Sequence, residues 1–186
     1  MDERTHLLIA ARDGDREALT HLVNDVLPDV WRFCASMIGA ADADDAAQET
    51  FLRVWRSAAS FRAESAAMTW VLAIARRVCI DVMKRRAARP RPSLEVERAD
   101  PEDHAATVAL DDLVTRLEPD RRAAFVCTQL LGLSYARTAE VCGCPIGTVR
   151  SRVARARADL LAATAGDDGG LDTPGIQPRD AETQRG

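Results

Sequence analysis

The chain has 186 residues, room for one large domain or two small ones; 47% are hydrophobic but only 4% aromatic, a composition that favours helices packed through small contacts. A net charge of -4 and a pI near 5.4 argue, taken whole, against a nucleic-acid binder. Met1 to His6 hold no apolar signal segment, no run approaches the ~18 apolar residues of a membrane span, and the five cysteines are odd in number, so a reducing cytoplasm is expected.

The first 88 residues read as helix after helix. Thr5 to Arg12 form a short one. Asp15 caps a second, which Pro28 interrupts or restarts before Val30 to Ile38, where Gly39 ends it. Asp42 then caps a long amphipathic helix to about Ala59, with acids in its first turn where the helix dipole favours them. Its core stripe is Ala47, Phe51, Val54, Trp55 and Ala58; the opposite side carries Asp45, Gln48, Glu49 and Leu52. An exposed leucine ringed by acids and a glutamine suits a protein-binding surface. Paired carboxylates also occur in acid/base catalysis, but no histidine or nucleophile accompanies these.

After a loop over Ser60 to Glu64, Ser65 caps a helix running to about Arg86. Its core side is Val71, Ile74, Ala75, Val78 and Val82. The other side carries Trp70, Ala73, Arg77, Ile80, Asp81 and Lys84, with Arg76 at the flank. Between Trp70 and Pro92 there are seven Lys/Arg against one acid. An aromatic beside such charge suits single-stranded DNA, the base stacking on the ring and the phosphates meeting the cations.

Arg89-Pro90-Arg91-Pro92 cannot continue a helix, so 89–105 is expected to be a flexible linker. Ser93 to Asp112 carries seven acids and one Arg, which masks the basic stripe in the overall charge. A second helical block follows: Val108 to Leu117, Pro119 to about Leu131, Ser134 to Cys142, and a last helix from Pro145 or Ile146 to about Ala163. Residues 166–186 are rich in Gly, Asp, Pro and Gln, the composition of a disordered tail.

Gly143-Cys144-Pro145 is a tight turn between two helices, the helix-turn-helix pattern. On the last helix Val149, Val153, Ala156 and Leu160 face inward. Gly147, Ser151, Ala154 and Ala158 lie opposite, flanked by Arg150 and Arg155, while Arg152 and Arg157 lean back toward the domain. Small residues between arginines let a backbone sit deep in a major groove, where Arg can fork onto guanine or clamp phosphate. Cys142-x-Cys144 lacks a second pair or nearby histidines, so no zinc site is expected.

The string from Leu133 to Arg152, with Gly143-Cys144-Pro145-Ile146-Gly147-Thr148-Val149-Arg150-Ser151-Arg152 at its end, closely resembles region 4 of the extracytoplasmic-function sigma factors of the sigma-70 family. Two departures stand out: Arg137 where the family often has Glu, and Thr138 where an aliphatic residue is usual. Asp44-Asp45-Ala46-Ala47-Gln48-Glu49-Thr50-Phe51 resembles the D-D-x-x-Q-E-T-F motif of region 2. Phe61-Arg62 and Trp70-Val71-Leu72-Ala73-Ile74-Ala75-Arg76 resemble its F-R…W-L-x-x-I-A-R segment, with Arg77 where Asn is frequent.

That resemblance implies an all-α fold of two small helical domains: region 2 over 1–88, and region 4 with its helix-turn-helix over 106–165. It implies docking on the clamp coiled coil of the polymerase β′ subunit, and contact with β. Asp45, Gln48, Glu49 and Leu52 are then the polymerase-binding residues. Phe61, Arg62, Trp70, Arg76, Arg77 and Lys84 would capture and help melt the -10 element. Tyr135, Arg137, Thr148, Arg150, Ser151 and Arg155 would read the -35 element. The expected protein is a promoter-recognition subunit, not an enzyme, without cofactor or metal, monomeric when free, with an anti-sigma factor as a further candidate partner. A free-standing repressor would need a dimer interface, and no heptad run or symmetric apolar helix is apparent.

Overall fold

In the computed structural model, residues 1–88 and 112–167 are described; the expected linker and nearly all of the expected tail lie outside them. All regular structure among the described residues is helical. Helix α1 spans Glu3–Arg12, α2 Arg16–Ile38, α3 Ala43–Ser57 and α4 Ala67–Ala88. A helical turn at 112–116 precedes α5, Pro119–Phe125, which continues as a π-helical turn over Val126–Leu130. Helix α6 is Tyr135–Cys142, and α7 is Ile146–Asp167, four residues longer than expected.

Pro28 neither stops nor restarts α2. Leu22, Val26, Val30, Phe33, Cys34 and Met37 are all completely buried at helical spacing, so burial holds the helix through the proline. Pro28 has no N–H for the Asn24 carbonyl; both residues are exposed, so water can take that bond.

Three caps also depart from the sequence reading. Asp2, one residue before α1, accepts from the Thr5 amide at 2.9 Å. The Thr5 hydroxyl donates to Asp2 and accepts from the Ala67 amide at 3.0 Å, so α1 rather than Ser65 satisfies the start of α4. Asp42 makes no cap bond; a 3-10 turn over Ala40–Asp42 leads into α3, and the Asp42 carboxylate pairs with Arg86.

Trp55 is not part of the core stripe. It is 61% exposed, and Phe51 is only half-buried. The buried face of α3 is Ala43, Ala46, Ala47, Thr50 and Val54, small residues that bring the helix close to α2 and α4. Trp55 lies ~100° round the helix from Val54, beyond that contact.

The two blocks also meet. The C-terminal block packs against α4 through α6, and against α2 through α5. Val114, Ala123, Val126, Cys127, Val141 and Cys142 belong to the same buried cluster as Leu22, Phe33, Val71 and Val78. The buried Arg122 guanidinium joins the blocks. It donates to Met37 O at the end of α2, and within its own block to Thr115 O and Leu117 O. Burial pushes this guanidinium below its ordinary pKa. Helix α4 is thus covered from two sides. Ile80, expected on its open face, is half-buried.

A candidate polymerase and promoter interface

The outward side of α3 matches its sequence reading. Asp44, Asp45 and Gln48 are exposed, and Leu52 retains 38% of its surface. Trp55 lies on the same side, and so does Trp31 of α2, 40% exposed, whose indole N–H donates to Asp44 Oδ1 at 2.8 Å. Leu27 stands one turn before Trp31 and is also exposed. Two tryptophans and two leucines among carboxylates have the character of an interface centre, where aromatic anchors are enriched. Trp31, Trp55 and Leu27 escaped the sequence reading; the signal for Trp55 was its spacing from Gln48 and Leu52 on one helical face.

Glu49 is half-buried at the edge of this face. Arg53 Nε donates to its Oε1 at 2.7 Å, and Arg53 Nη1 reaches Asp81 Oδ2 on α4 at 3.0 Å. These bonds raise the Arg53 pKa above its ordinary value. Beyond them opens a cleft of about 890 Å³ between α3 and the end of α4, whose walls include Asp45, Glu49, Lys84 and Arg85.

On α4 and the loop before it the expected DNA residues divide. Arg62, Arg77 and Lys84 are exposed. Phe61 is buried, 5.3 Å from the half-buried Trp70 ring and tilted to it by 59°. Phe61 therefore supports Trp70 and offers no face for stacking a base in this arrangement. Ala63, between them in the chain, has φ +57°, a conformation that L-residues adopt at some energetic cost. Arg76 is turned toward the C-terminal block, where it pairs with Asp120 of α5.

On the helix-turn-helix, Ser134 caps α6 by accepting from the Arg137 amide at 3.2 Å. Gly143 then turns the chain with φ +62°, the left-handed conformation that glycine adopts without penalty. Val149, Val153 and Ala156 are buried. Tyr135, Arg137, Arg150, Ser151 and Arg155 are exposed, Thr148 half-buried. Ser151 Oγ donates to Thr148 O at 2.9 Å. Arg152 pairs with Asp120 and donates to Cys144 Sγ at 3.3 Å; Arg157, though exposed, donates to Gln129 Oε1 at 2.7 Å. Both arginines lean away from the side that carries the small residues, as the 3.6-residue period requires.

Residues 22–89 match the family described as Sigma-70 region 2, and residues 107–160 match Sigma-70, region 4. The sigma factor SigC of Mycobacterium tuberculosis is 44% identical over 171 residues, covering 88% of this chain and 92% of its own. The chain belongs to the extracytoplasmic-function sigma factors. As a sigma factor it directs RNA polymerase in promoter-specific transcription. SigM of M. tuberculosis is 37% identical over 158 residues, 83% of this sigma factor and 81% of SigM.

Among solved structures, CnrH in complex with the cytosolic domain of CnrY superposes with a TM-score of 0.72 at 25% identity, covering 89% of this sigma factor and 99% of that chain. Bartonella quintana RpoE, solved with the anti-sigma factor NepR, gives 0.65 at 27% identity over 80% and 97%. Among the described residues no cluster of three or more His, Cys, Asp and Glu could hold a metal ion, and no helix is long and apolar enough to cross a membrane. The cysteines are free thiols. Burial pushes Cys142 up to about 11 and raises Cys127 as well, so both behave as small apolar side chains.

Proposed function

We propose that the outer face of α3 docks on the clamp coiled coil of the β′ subunit. Asp45, Gln48 and Glu49 supply charge and hydrogen bonds there, and Leu52, Trp55 and Trp31 supply apolar contact. The observation that carries this is the exposure of two tryptophans and a leucine beside those carboxylates. Large apolar side chains left in water on one face of a well-packed domain call for a partner. Residues 1–88 and 106–165 act as two DNA readers held on that partner, each weak alone and strong together through effective concentration. Arg62, Trp70, Arg76, Arg77 and Lys84 engage the -10 non-template strand as it unstacks. Tyr135, Arg137, Thr148, Arg150, Ser151 and Arg155 face the -35 element.

The sigma factor performs no reaction of its own and acts in the cytoplasm, and an anti-sigma protein of the kind that binds the Bartonella relative competes for these faces. Because Asp120 holds Arg76, the C-terminal block moves off α4 when the -10 strand is engaged.

The test of docking is co-elution with core polymerase. Asp45→Arg combined with Glu49→Arg should abolish the complex while circular dichroism stays unchanged, since both residues lie outside the core. Wild-type affinity in the double variant overturns the assignment. Melting is tested with Trp70→Ala, which should slow open-complex formation more than closed-complex binding, because the ring meets a base only after unstacking.

A further inference from the structure

Neither the polymerase face nor the DNA face accounts for Arg53. The residue sits on α3 one turn after Glu49, which is itself one turn after Asp45. Carboxylates at i and i+4 on a helix repel each other and swing apart into solvent. Arg53 counters this at Glu49: Nε holds Oε1 at 2.7 Å, and Nη1 holds Asp81 of α4 at 3.0 Å. The guanidinium is anchored on a second helix while it grips the glutamate. The three side chains keep between 36% and 47% of their surface, so the network stands at the rim of the cleft, within reach of a docking partner.

We infer that Arg53 is a positioning residue for polymerase binding: anchored to Asp81, it holds the Glu49 carboxylate at the edge of the docking face. The inference rests on the reading that α3 docks on polymerase through Glu49. Its physical content is preorganisation. A glutamate side chain free in solvent must be ordered when the partner arrives, and a side chain already held by a fork of N–H groups has less freedom left to lose. Asp81, which the sequence placed on the DNA side of α4, becomes the anchor on the neighbouring helix. Arg53 touches the partner only through Glu49.

The experiment measures the affinity of the full-length sigma factor for core polymerase at several salt concentrations, for Glu49→Gln, Arg53→Met, Arg53→Lys and the pair Glu49→Gln with Arg53→Met. Glu49→Gln should weaken binding about tenfold and flatten the salt dependence. Arg53→Met should weaken it about three- to fivefold, the scale of a partly exposed ion pair, and steepen the salt dependence, because loss of the cation leaves the acidic face more negative. Arg53→Lys should restore most of the loss. The double variant should bind no more weakly than Glu49→Gln alone, because Arg53 then has no carboxylate to hold.

The salt slope separates positioning from a structural defect. A partly unfolded protein lowers the active fraction without changing the slope. Wild-type or tighter binding by Arg53→Met overturns the inference, as does a loss that persists in full in the Glu49→Gln background. Wild-type binding by Glu49→Gln overturns the docking role of Glu49 instead, and the inference falls with it; that single arm distinguishes the two failures.

Discussion

The outer faces of α3 and α4 sit on neighbouring helices, and both carry residues that the family motifs assign to binding. The α3 face stands open, with Asp45, Gln48, Leu52 and Trp55 all in solvent. The α4 face is shared: Arg77 and Lys84 are exposed, while Arg76 is held by Asp120. The same protein thus presents the face that the motifs assign to polymerase and withholds part of the face that they assign to DNA. A free face needs only a partner. A covered face needs a partner and the separation of two packed blocks, and its affinity is reduced by whatever that separation requires.

The packing that covers α4 is not fully satisfied. Among the described residues Arg76 Nε and Arg122 Nε are buried with no hydrogen-bond partner. Each such group opposes closure by about 1–3 kcal/mol. The apolar contacts of Val126, Cys127, Val141 and Cys142 offset this. Closure is therefore a balance that single substitutions can tip.

The largest effect is expected at Arg122. Arg122→Ala leaves the carbonyls of Met37, Thr115 and Leu117 without their charged donor and should destabilise the protein by about 3 kcal/mol in denaturant unfolding. A midpoint within error of wild type would remove Arg122 from the join between the blocks. On the open face, Trp55→Ala should cost about 2 kcal/mol of core-polymerase affinity, measured by anisotropy, with folding stability nearly unchanged. A large stability loss with normal affinity would reverse the contrast drawn between the two faces.

On α7, Arg150→Ala or Arg155→Ala should lower use of the upstream element by about 1–3 kcal/mol in a promoter-mutant transcription panel, and at least one should relax base preference. Arg152→Ala should do less. If Arg152→Ala alone altered base preference, the outward face of α7 would have to be reassigned. Asp120→Asn weakens the pairing with Arg76 and should tighten binding of a single-stranded -10 oligonucleotide by the free protein about fivefold, roughly 1 kcal/mol. Unchanged binding would mean that the covered face is not limited by this contact.

The smallest effect tests the C-terminal core. Thr138 is completely buried and its hydroxyl has no partner among the described residues. Thr138→Val removes the unsatisfied group at constant shape and should raise stability by about 0.5–1 kcal/mol by thermal unfolding.

Local features are legible in the order of residues. The helix-turn-helix, the inward and outward sides of α7 and the acidic face of α3 follow from a 3.6-residue period and short motifs, which neighbouring residues decide among themselves. Local rules fail where a distant residue intervenes. Pro28 should break a helix by those rules, and burial of Val26, Val30 and Phe33 overrides them. Trp55 has the character of a core residue because large aromatics usually are buried, but small residues bring α3 too close to its neighbours to admit it there.

Family membership, helical class and the residue types on each helix face are therefore properties of the sequence by itself, because they rest on order along the chain. Tertiary structure decided which of those residues are available. The Arg76–Asp120 pair joins residues 44 positions apart, the Thr5 bond to Ala67 spans 62, and the Arg122 bond to Met37 spans 85. No local period encodes such separations. They arise when packed helices exclude water and each buried donor takes whichever acceptor the fold brings within reach.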